Sequence, residues 1–353
     1  KFIDKMEETS FDILERVRNV TKITKLPITV SLGISYSEET LEERYNAGTS
    51  ALDIALGRGG DQAVVKKDKK YDFFGGSNIG LEKTSKVKAR TMAQAIRELI
   101  EKSEKVYVMG HRNSDVDCIG AAIGIAKIAK FLDKPVNIII DAKCNASADA
   151  TIEKIKYTEG YDEVFKTYAE VKNDDFTNAL LIIVDTHKKS YLVEPEMMDN
   201  FEKVVVIDHH RRGPEFIDNS VLTYHEIYAS SASELVAEIL MYTDGIQIDS
   251  NEAECIYAGL VVDTKNFMFK TGVRTFEVAA YLKKFGIDVA EIKLLFQNDF
   301  DTYVAKVDIV KNAEFIKDKI AISVSRATHD DMPIIAAQAA DELLSISGIQ
   351  ASF

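Results

Sequence analysis

Three stretches of this 353-residue chain decide how it is read. They are Val106-Tyr107-Val108-Met109-Gly110-His111-Arg112-Asn113-Ser114-Asp115-Val116-Asp117, Ala179-Leu180-Leu181-Ile182-Ile183-Val184-Asp185-Thr186-His187, and Val204-Val205-Val206-Ile207-Asp208-His209-His210-Arg211. Each is a nearly continuous apolar run of strand length that ends in carboxylates and imidazoles. Strands that lack alternation are buried on both faces, as in a parallel sheet covered by other layers. Val136-Asn137-Ile138-Ile139-Ile140 is a further run of this kind, and residues 120–132 read as a helix between two of them. Gly259-Leu260-Val261-Val262 leading into Asp263 reads as one more strand end. The expected class is α/β, with a mainly parallel sheet flanked by helices and ligands gathering at its carboxyl edge.

A single acid after a strand commonly does no more than cap the next helix. Four such ends, bringing at least four Asp and two His to one crevice, repel one another unless cations neutralise them. Oxygen and imidazole donors without thiolate suit Mn²⁺ better than structural zinc. The donors outnumber one ion's needs, which predicts two ions about 3.5–4 Å apart sharing a bridging carboxylate. Such a pair readies a bridging hydroxide for in-line attack on a phosphoryl group. Asp115 and Asp117, two apart in one loop, can serve neighbouring ions, and Asp185 is placed to lie between them. Asp208 reads either as a group orienting a liganding imidazole or as a helix cap.

Working outward, Lys+Arg 44 against Asp+Glu 57 leaves a net charge of −13, which disfavours long nucleic acid. The basic stripe Lys83, Lys86, Lys88, Arg90 and Arg97 reads first as a solvated linker and helix start, with a phosphate-contacting face as the lesser alternative. A composition 46% hydrophobic and 29% charged excludes a disordered tail or a fibre. No apolar run reaches the roughly 18 residues of a membrane span. Cys118, Cys144 and Cys255 are odd in number without paired spacing, as expected in a reducing cytoplasm. Lys1 is no initiator Met, so the chain is expected to begin inside a longer protein.

The N-terminal part predicts a helix carrying Phe2, Ile3, Met6, Ile13, Leu14 and Val17, a strand over 28–34 and a helix over 41–56. The tight segment Gly57-Arg58-Gly59-Gly60-Asp61-Gln62 then reads as a hairpin turn into Ala63-Val64-Val65. After Asp263 the chain is expected to be helical through 278–310, then to form a strand over 320–324, a helix over 334–344 and a new strand from Ala351. Ser230-Ser231-Ala232-Ser233-Glu234 is a capping-box pattern whose backbone N–H groups could also hold a phosphate. Gly120-Ala121-Ala122-Ile123-Gly124 predicts close approach of a helix to the sheet. His187 and His225 show no partner in the sequence.

His111-x3-Asp115-x-Asp117, the Asp185-Thr186-His187 strand end and Asp208-His209-His210, followed by Asp263, resemble the DHH phosphoesterase superfamily over residues 105–283. Residues 1–75 resemble the C-terminal half of a degenerate GGDEF domain, 76–104 a linker and entry helix, 284–312 a helical connector, and 313–353 an incomplete DHHA1 domain. That order is similar to the GdpP-type cyclic di-AMP phosphodiesterases, as are Tyr71-Asp72-Phe73-Phe74-Gly75-Gly76 and Asp263-Thr264-Lys265-Asn266-Phe267. The resemblance implies one Mn²⁺ on His111, Asp115 and Asp185, and a second on Asp117, Asp185, His209 and Asp263. From their places beside the ligand His209, His210 and Arg211 are expected to serve catalysis with Asp208 as orienting group, and Arg211 with Ser230 and Ser231 of the capping turn is expected to meet substrate. The resemblance also implies hydrolysis of cyclic di-AMP to 5′-pApA. Alternatives are another DHH phosphoesterase (a nanoRNase acting on pApA, a RecJ-like exonuclease, a family II pyrophosphatase) or a non-catalytic nucleotide sensor. The glycine- and histidine-rich DHHA1 motif that grips substrate does not occur before Phe353, so weak substrate binding is expected. The expected partner is a small cyclic dinucleotide, with no long nucleic acid and no direct membrane contact. A cytoplasmic homodimer, the soluble part of a membrane-anchored protein, is implied.

Overall fold

The computed structural model describes residues 3, 6–7, 9–17, 29–36, 40–57, 60–67, 70–75, 78–141, 144–211, 215–296, 300–317, 319–325 and 332–353, the side chains of 57, 78–85 and 334 excepted. The N-terminal part contains β1 (Leu32–Ser35), α1 (Leu41–Gly57), β2 (Gln62–Lys67) and β3 (Lys70–Gly75). β1 pairs with β2 in parallel, and β2 with β3 antiparallel. The tight segment before Gln62 is therefore the return from α1 into β2 and not a hairpin turn. Parallel neighbours require a crossover, which α1 supplies. The hairpin lies one strand later, between β2 and β3. Of the first expected helix, residues 3, 6–7 and 13–17 are helical, with turns at 9–10 and 12 between them; Phe2, like Ile28, Arg58, Gly59 and Arg212, lies outside the described residues.

A single helix of 24 residues, α2 (Asn78–Glu101), leads into the central domain. There follow β4 (Val106–Met109), α3 (Val116–Phe131), β5 (Val136–Ile139), α4 (Ala146–Lys156), β6 (Phe165–Lys166), the single-turn α5 (Tyr168–Val171), β7 (Leu180–Val184), β8 (Lys203–Asp208) and β9 (Leu222–His225). The six strands form one sheet in the order β6-β5-β4-β7-β8-β9, every neighbouring pair parallel. The chain winds outward from β4 in one direction and from β7 in the other. The switch point thus lies between β4 and β7, where the outgoing loops diverge and leave a crevice.

The unbroken apolar runs follow from two covered faces. Val106, Val108, Leu180, Ile182, Val184, Val205 and Ile207 face a layer built on α3 and the later helices α6 (Ala232–Met241) and α7 (Ser250–Asp263). Tyr107, Met109, Leu181, Ile183, Val204 and Val206 face a second cluster with Leu192, Met197, Met198 and Phe201, carried by short 3₁₀ segments. The glycines of α3 serve a helix–helix approach instead of the expected helix–sheet one. A Cβ on Gly120 would lie 2.7 Å from the Cys255 carbonyl oxygen of α7.

Asp263 is a second correction. It is the last residue of α7 and not a strand end. A helix buried on nearly all sides shows the same unbroken apolar run as a buried strand, and Ala258, Gly259, Leu260 and Val261 are all buried within α7. The chain continues through α8 (Val273–Lys283), α9 (Val289–Leu294) and α10 (Phe300–Lys311). It then forms β10 (Glu314–Ile316), β11 (Ile320–Ile322), α11 (Met332–Leu344) and β12 (Ala351–Ser352). β10 and β11 are antiparallel, β11 and β12 parallel. No helix among the described residues is long and apolar enough to cross a membrane.

Two residues of the basic stripe, Lys86 and Lys88, dock α2 onto the central domain. Lys86 pairs with Glu277 at 2.6 Å. Lys88 pairs with Glu226 and donates to the His225 carbonyl at 3.1 Å. Arg97 pairs with Glu101 at 2.8 Å along the same helix. The side chain of Lys83 lies outside the described residues.

Candidate metal centre

The loop leaving β4 is tied down before it reaches its acids. Asn113, at φ 58°, donates its N–H to Asp141 Oδ2 at 2.8 Å. Ser114 Oγ donates to the His111 carbonyl at 2.8 Å. Asp115 then caps α3, its Oδ1 accepting from the Cys118 N–H at 3.0 Å. His111 Nδ1 lies 2.9 Å from the Arg112 carbonyl. That carbonyl fixes the proton on Nδ1 and leaves Nε2 as the lone-pair donor.

Asp117 is fully buried in the first turn of α3. Its carboxylate accepts from the N–H of Ala232 at 2.7 Å and of Ser233 at 2.9 Å. The N-terminus of α6 therefore holds a carboxylate of the chain itself, where its dipole and unpaired amides stabilise negative charge. Those amides are already occupied, which overturns the phosphate-holding reading of this turn. The Ser230 and Ser231 hydroxyls, expected to meet substrate, are buried and committed as well. Ser230 Oγ donates to Glu234 Oε2 at 2.5 Å, and Ser231 Oγ caps α6 by accepting from the Glu234 N–H at 3.0 Å.

Asp185 follows β7 at φ 59°, a left-handed conformation held by its N–H to the Ile207 carbonyl at 2.9 Å. Asp tolerates this region better than most residues, and here it aims the side chain between two neighbours. Asp185 Oδ2 lies 3.3 Å from His111 Nε2, and Oδ1 lies 3.3 Å from His209 Nε2. His209 Nε2 is also 3.2 Å from Asp263 Oδ2 and 3.8 Å from Asp117 Oδ2. The donor atoms of His111, Asp115 and Asp185 fall within 4.8 Å of one another, as do those of Asp117, His209 and Asp263. All six predicted ligands converge, in two groups with Asp185 reaching both.

This arrangement is incomplete without cations. Asp185 Oδ1 and both ring nitrogens of His209 are buried with no hydrogen-bond partner. Burial, together with the Asp185 charge, pushes the Asp117 carboxyl well above the carboxylate range; burial with Asp117 and Asp185 does the same to Asp263. Burial lowers the imidazoles, but their carboxylate neighbours outweigh it, raising His111 to about 11 and His209 to about 9. Asp185 is driven the other way: the imidazoles of His111 and His209, each 3.3 Å away, overcome the burial that would raise it. Divalent cations would supply the positive charge that these crowded carboxylates call for, and the oxygen and imidazole donor set fits Mn²⁺.

Asp208 orients imidazoles, though not the one expected. Its Oδ2 hydrogen-bonds His187 Nδ1, and its Oδ1 accepts from His210 Nδ1 at 2.9 Å and from the N–H groups of His209 and His210 at 2.9 and 3.2 Å. It fixes the His209 backbone without touching that ring. Burial would raise Asp208, but the hydrogen bonds from His187 and His210 hold it far below the usual range. His225 Nε2 lies 2.6 Å from the His210 carbonyl. The two histidines with no visible partner therefore both brace the Asp208-His209-His210 turn. No sequence signal marks a contact across the 21 positions from His187 to Asp208. His210, Arg211, Lys188, Tyr191 and Tyr228 line the cavity of about 990 Å³ that opens over the ligands.

Residues 105–260 match the model of the DHH family, N-terminal domain. The central domain of the chain is thus similar to the DHH family. Residues 1–73 match the GGDEF domain described as cyclic-di-AMP phosphodiesterase GdpP-like. The whole chain is 39% identical over 359 residues to the cyclic-di-AMP phosphodiesterase PdeA of Listeria monocytogenes, covering 54% of that protein. It is 39% identical over 362 residues to the cyclic-di-AMP phosphodiesterase GdpP of Bacillus subtilis, covering 99% of the chain and 54% of the relative. The chain thus spans about half the length of these relatives. An exopolyphosphatase-related protein of Bacteroides fragilis shares the DHH fold, with a TM-score of 0.60 at 20% identity over 74% of this chain and 78% of that one.

Proposed function

We propose that the chain is a Mn²⁺-dependent phosphodiesterase that opens cyclic di-AMP to 5′-pApA. The observation that carries this is Asp185, buried between two donor groups with an oxygen toward each and one of those oxygens unpartnered. The GdpP-like relatives support the choice of substrate. Two divalent ions, when bound, supply an activated water nucleophile and neutralise charge on the phosphoryl oxygens.

The chain's own residues do the rest. Asp115, Asp117, Asp263 and the two imidazoles hold the donor geometry, and the α6 amides keep Asp117 from collapsing toward its neighbours. His210, half-exposed and fixed through Nδ1 by Asp208, places a proton on the departing ribose 3′ oxygen. Arg211, in the cavity wall, holds the phosphoryl oxygens through their gain of charge. A homodimer, and a cytoplasmic position beside a membrane anchor outside this chain, go with the same reading.

Rates on cyclic di-AMP, pApA and pyrophosphate, each with saturating Mn²⁺, test it. Cyclic di-AMP should be cut fastest, and Asp263→Ala or His209→Ala should abolish the cut. Preference for pApA or pyrophosphate would move the chain to another DHH chemistry. Tight binding of cyclic di-AMP without turnover would make it a sensor.

A further inference from the structure

Tyr191 is 49% exposed yet held firmly. It ends a 3₁₀ turn, its carbonyl accepts the Arg112 N–H at 2.8 Å, and the next residue, Leu192, bridges to the ligand His111. Its position is thus coupled to the first metal loop. The Arg112 guanidinium lies 4.9 Å from the ring centroid and Lys188 Nζ 5.9 Å from it. Neither cation makes an ion pair among the described residues, although the chain carries 57 acids. Tyr228, 41% exposed, lines the same cavity beyond β9, its hydroxyl donating to the Leu56 carbonyl of α1. Both rings thus line the one cavity that opens over His111, Asp115, Asp185, His209 and Asp263.

A half-exposed aromatic fixed at its backbone beside unpaired cations is what a nucleobase and its phosphate require: a flat face to stack on and charge alongside. Resting on the phosphodiesterase reading, we infer that Tyr191 is a stacking platform for one purine base of the substrate, with Arg112 and Lys188 on the adjoining phosphate. Tyr228 takes the second base, its ring held in place by the N-terminal part of the chain. The crevice selects nucleotides through these rings, while the metal centre cuts whatever phosphodiester is presented.

The test is titration of cyclic di-AMP into the Ca²⁺-loaded chain, beside turnover of cyclic di-AMP and of methyl p-nitrophenyl phosphate, which has no base, with Mn²⁺. Tyr191→Ala should weaken cyclic di-AMP binding and raise its KM about tenfold or more. kcat and the base-free reaction should stay within about twofold, and Tyr191→Phe should restore binding because it keeps the ring. Unchanged binding by Tyr191→Ala, equal losses on both substrates, or failure of the wild-type chain to bind cyclic di-AMP overturns the inference. Wild-type binding without turnover overturns only the phosphodiesterase reading.

Discussion

Gly259→Ala should damage the metal centre without touching a ligand. A Cβ at Gly259 of α7 would lie 2.2 Å from Ser233 Oγ, 2.9 Å from Ser233 Cβ and 2.9 Å from Asp117 Oδ1, closer than side chains approach. Relief requires Ser233 to move. That breaks its Oγ bond to the Asp117 carbonyl (3.1 Å) and strains its N–H bond to Oδ1 (2.9 Å). Overpacking costs about 1–3 kcal/mol, and a hydrogen bond to a charged group is worth about 1.5–3 kcal/mol. Replacing Gly by Ala inside a helix returns about 1 kcal/mol, too little to win, so the net loss is roughly 1.5–5 kcal/mol. Gly124→Ala is the control: its Cβ would meet Val236 Cγ1 at 2.5 Å and Ile256 Cδ1 at 3.4 Å, both away from Asp117. Urea denaturation and calorimetric Mn²⁺ titration of both variants decide the matter. Gly259→Ala should lose more stability and bind the second Mn²⁺ at least about tenfold more weakly, 1.4 kcal/mol per decade. Gly124→Ala should bind both ions as the wild type does. Equal stability and equal Mn²⁺ affinity in the two variants would refute the argument that α7 presses Asp117 into place through Ser233.

Arg274 is nearly buried against Glu238, with Nε 2.7 Å from Oε1, so Arg274→Met should cost about 3–5 kcal/mol by stranding that carboxylate. Burial already raises the Glu238 pKa, so the loss should be full above that raised value and shrink as the pH falls and the carboxyl takes a proton; denaturation at pH 7.5 and 5.0 checks the sign. Because His111 and His209 hold protons up to about 11 and 9, Mn²⁺ must displace them. Its affinity should therefore climb from pH 6 to 8 with proton release visible in buffers of different ionisation heat; a pH-independent affinity would contradict this. Asp208→Asn should lower kcat about 100-fold by misplacing His210, with Mn²⁺ affinity nearly intact because Asp208 does not touch the His209 ring. Parallel losses of both would show that Asp208 acts on the ligands instead.

The core was legible wherever burial is two-sided. β4, β5, β7 and β8 lie within a residue or so of the apolar runs because both of their faces are covered. β9 escaped notice because Leu-Thr-Tyr-His at the sheet edge is largely half-buried and has no unbroken run. The misreading at Asp263 had a remedy in the sequence: Asp249, whose side chain caps Asn251 while Glu252 returns to its N–H, announces a helix that reaches Asp263. The six converging side chains were readable because acids and imidazoles at several element ends are informative together. The second roles were not, since His187 to Asp208 and the α6 amides to Asp117 are contacts between segments that nothing local specifies.

The placement of Asp263 at the end of α7 has a temporal consequence. A ribosome releases His111, Asp115 and Asp185 well before it reaches Asp263, by several seconds at about 5–20 residues per second. The first trio of donors therefore exists as a set while the second still lacks a member. The two donor groups mature in an order written into the direction of translation, and a nascent chain arrested between β9 and α7 would present only one of them complete.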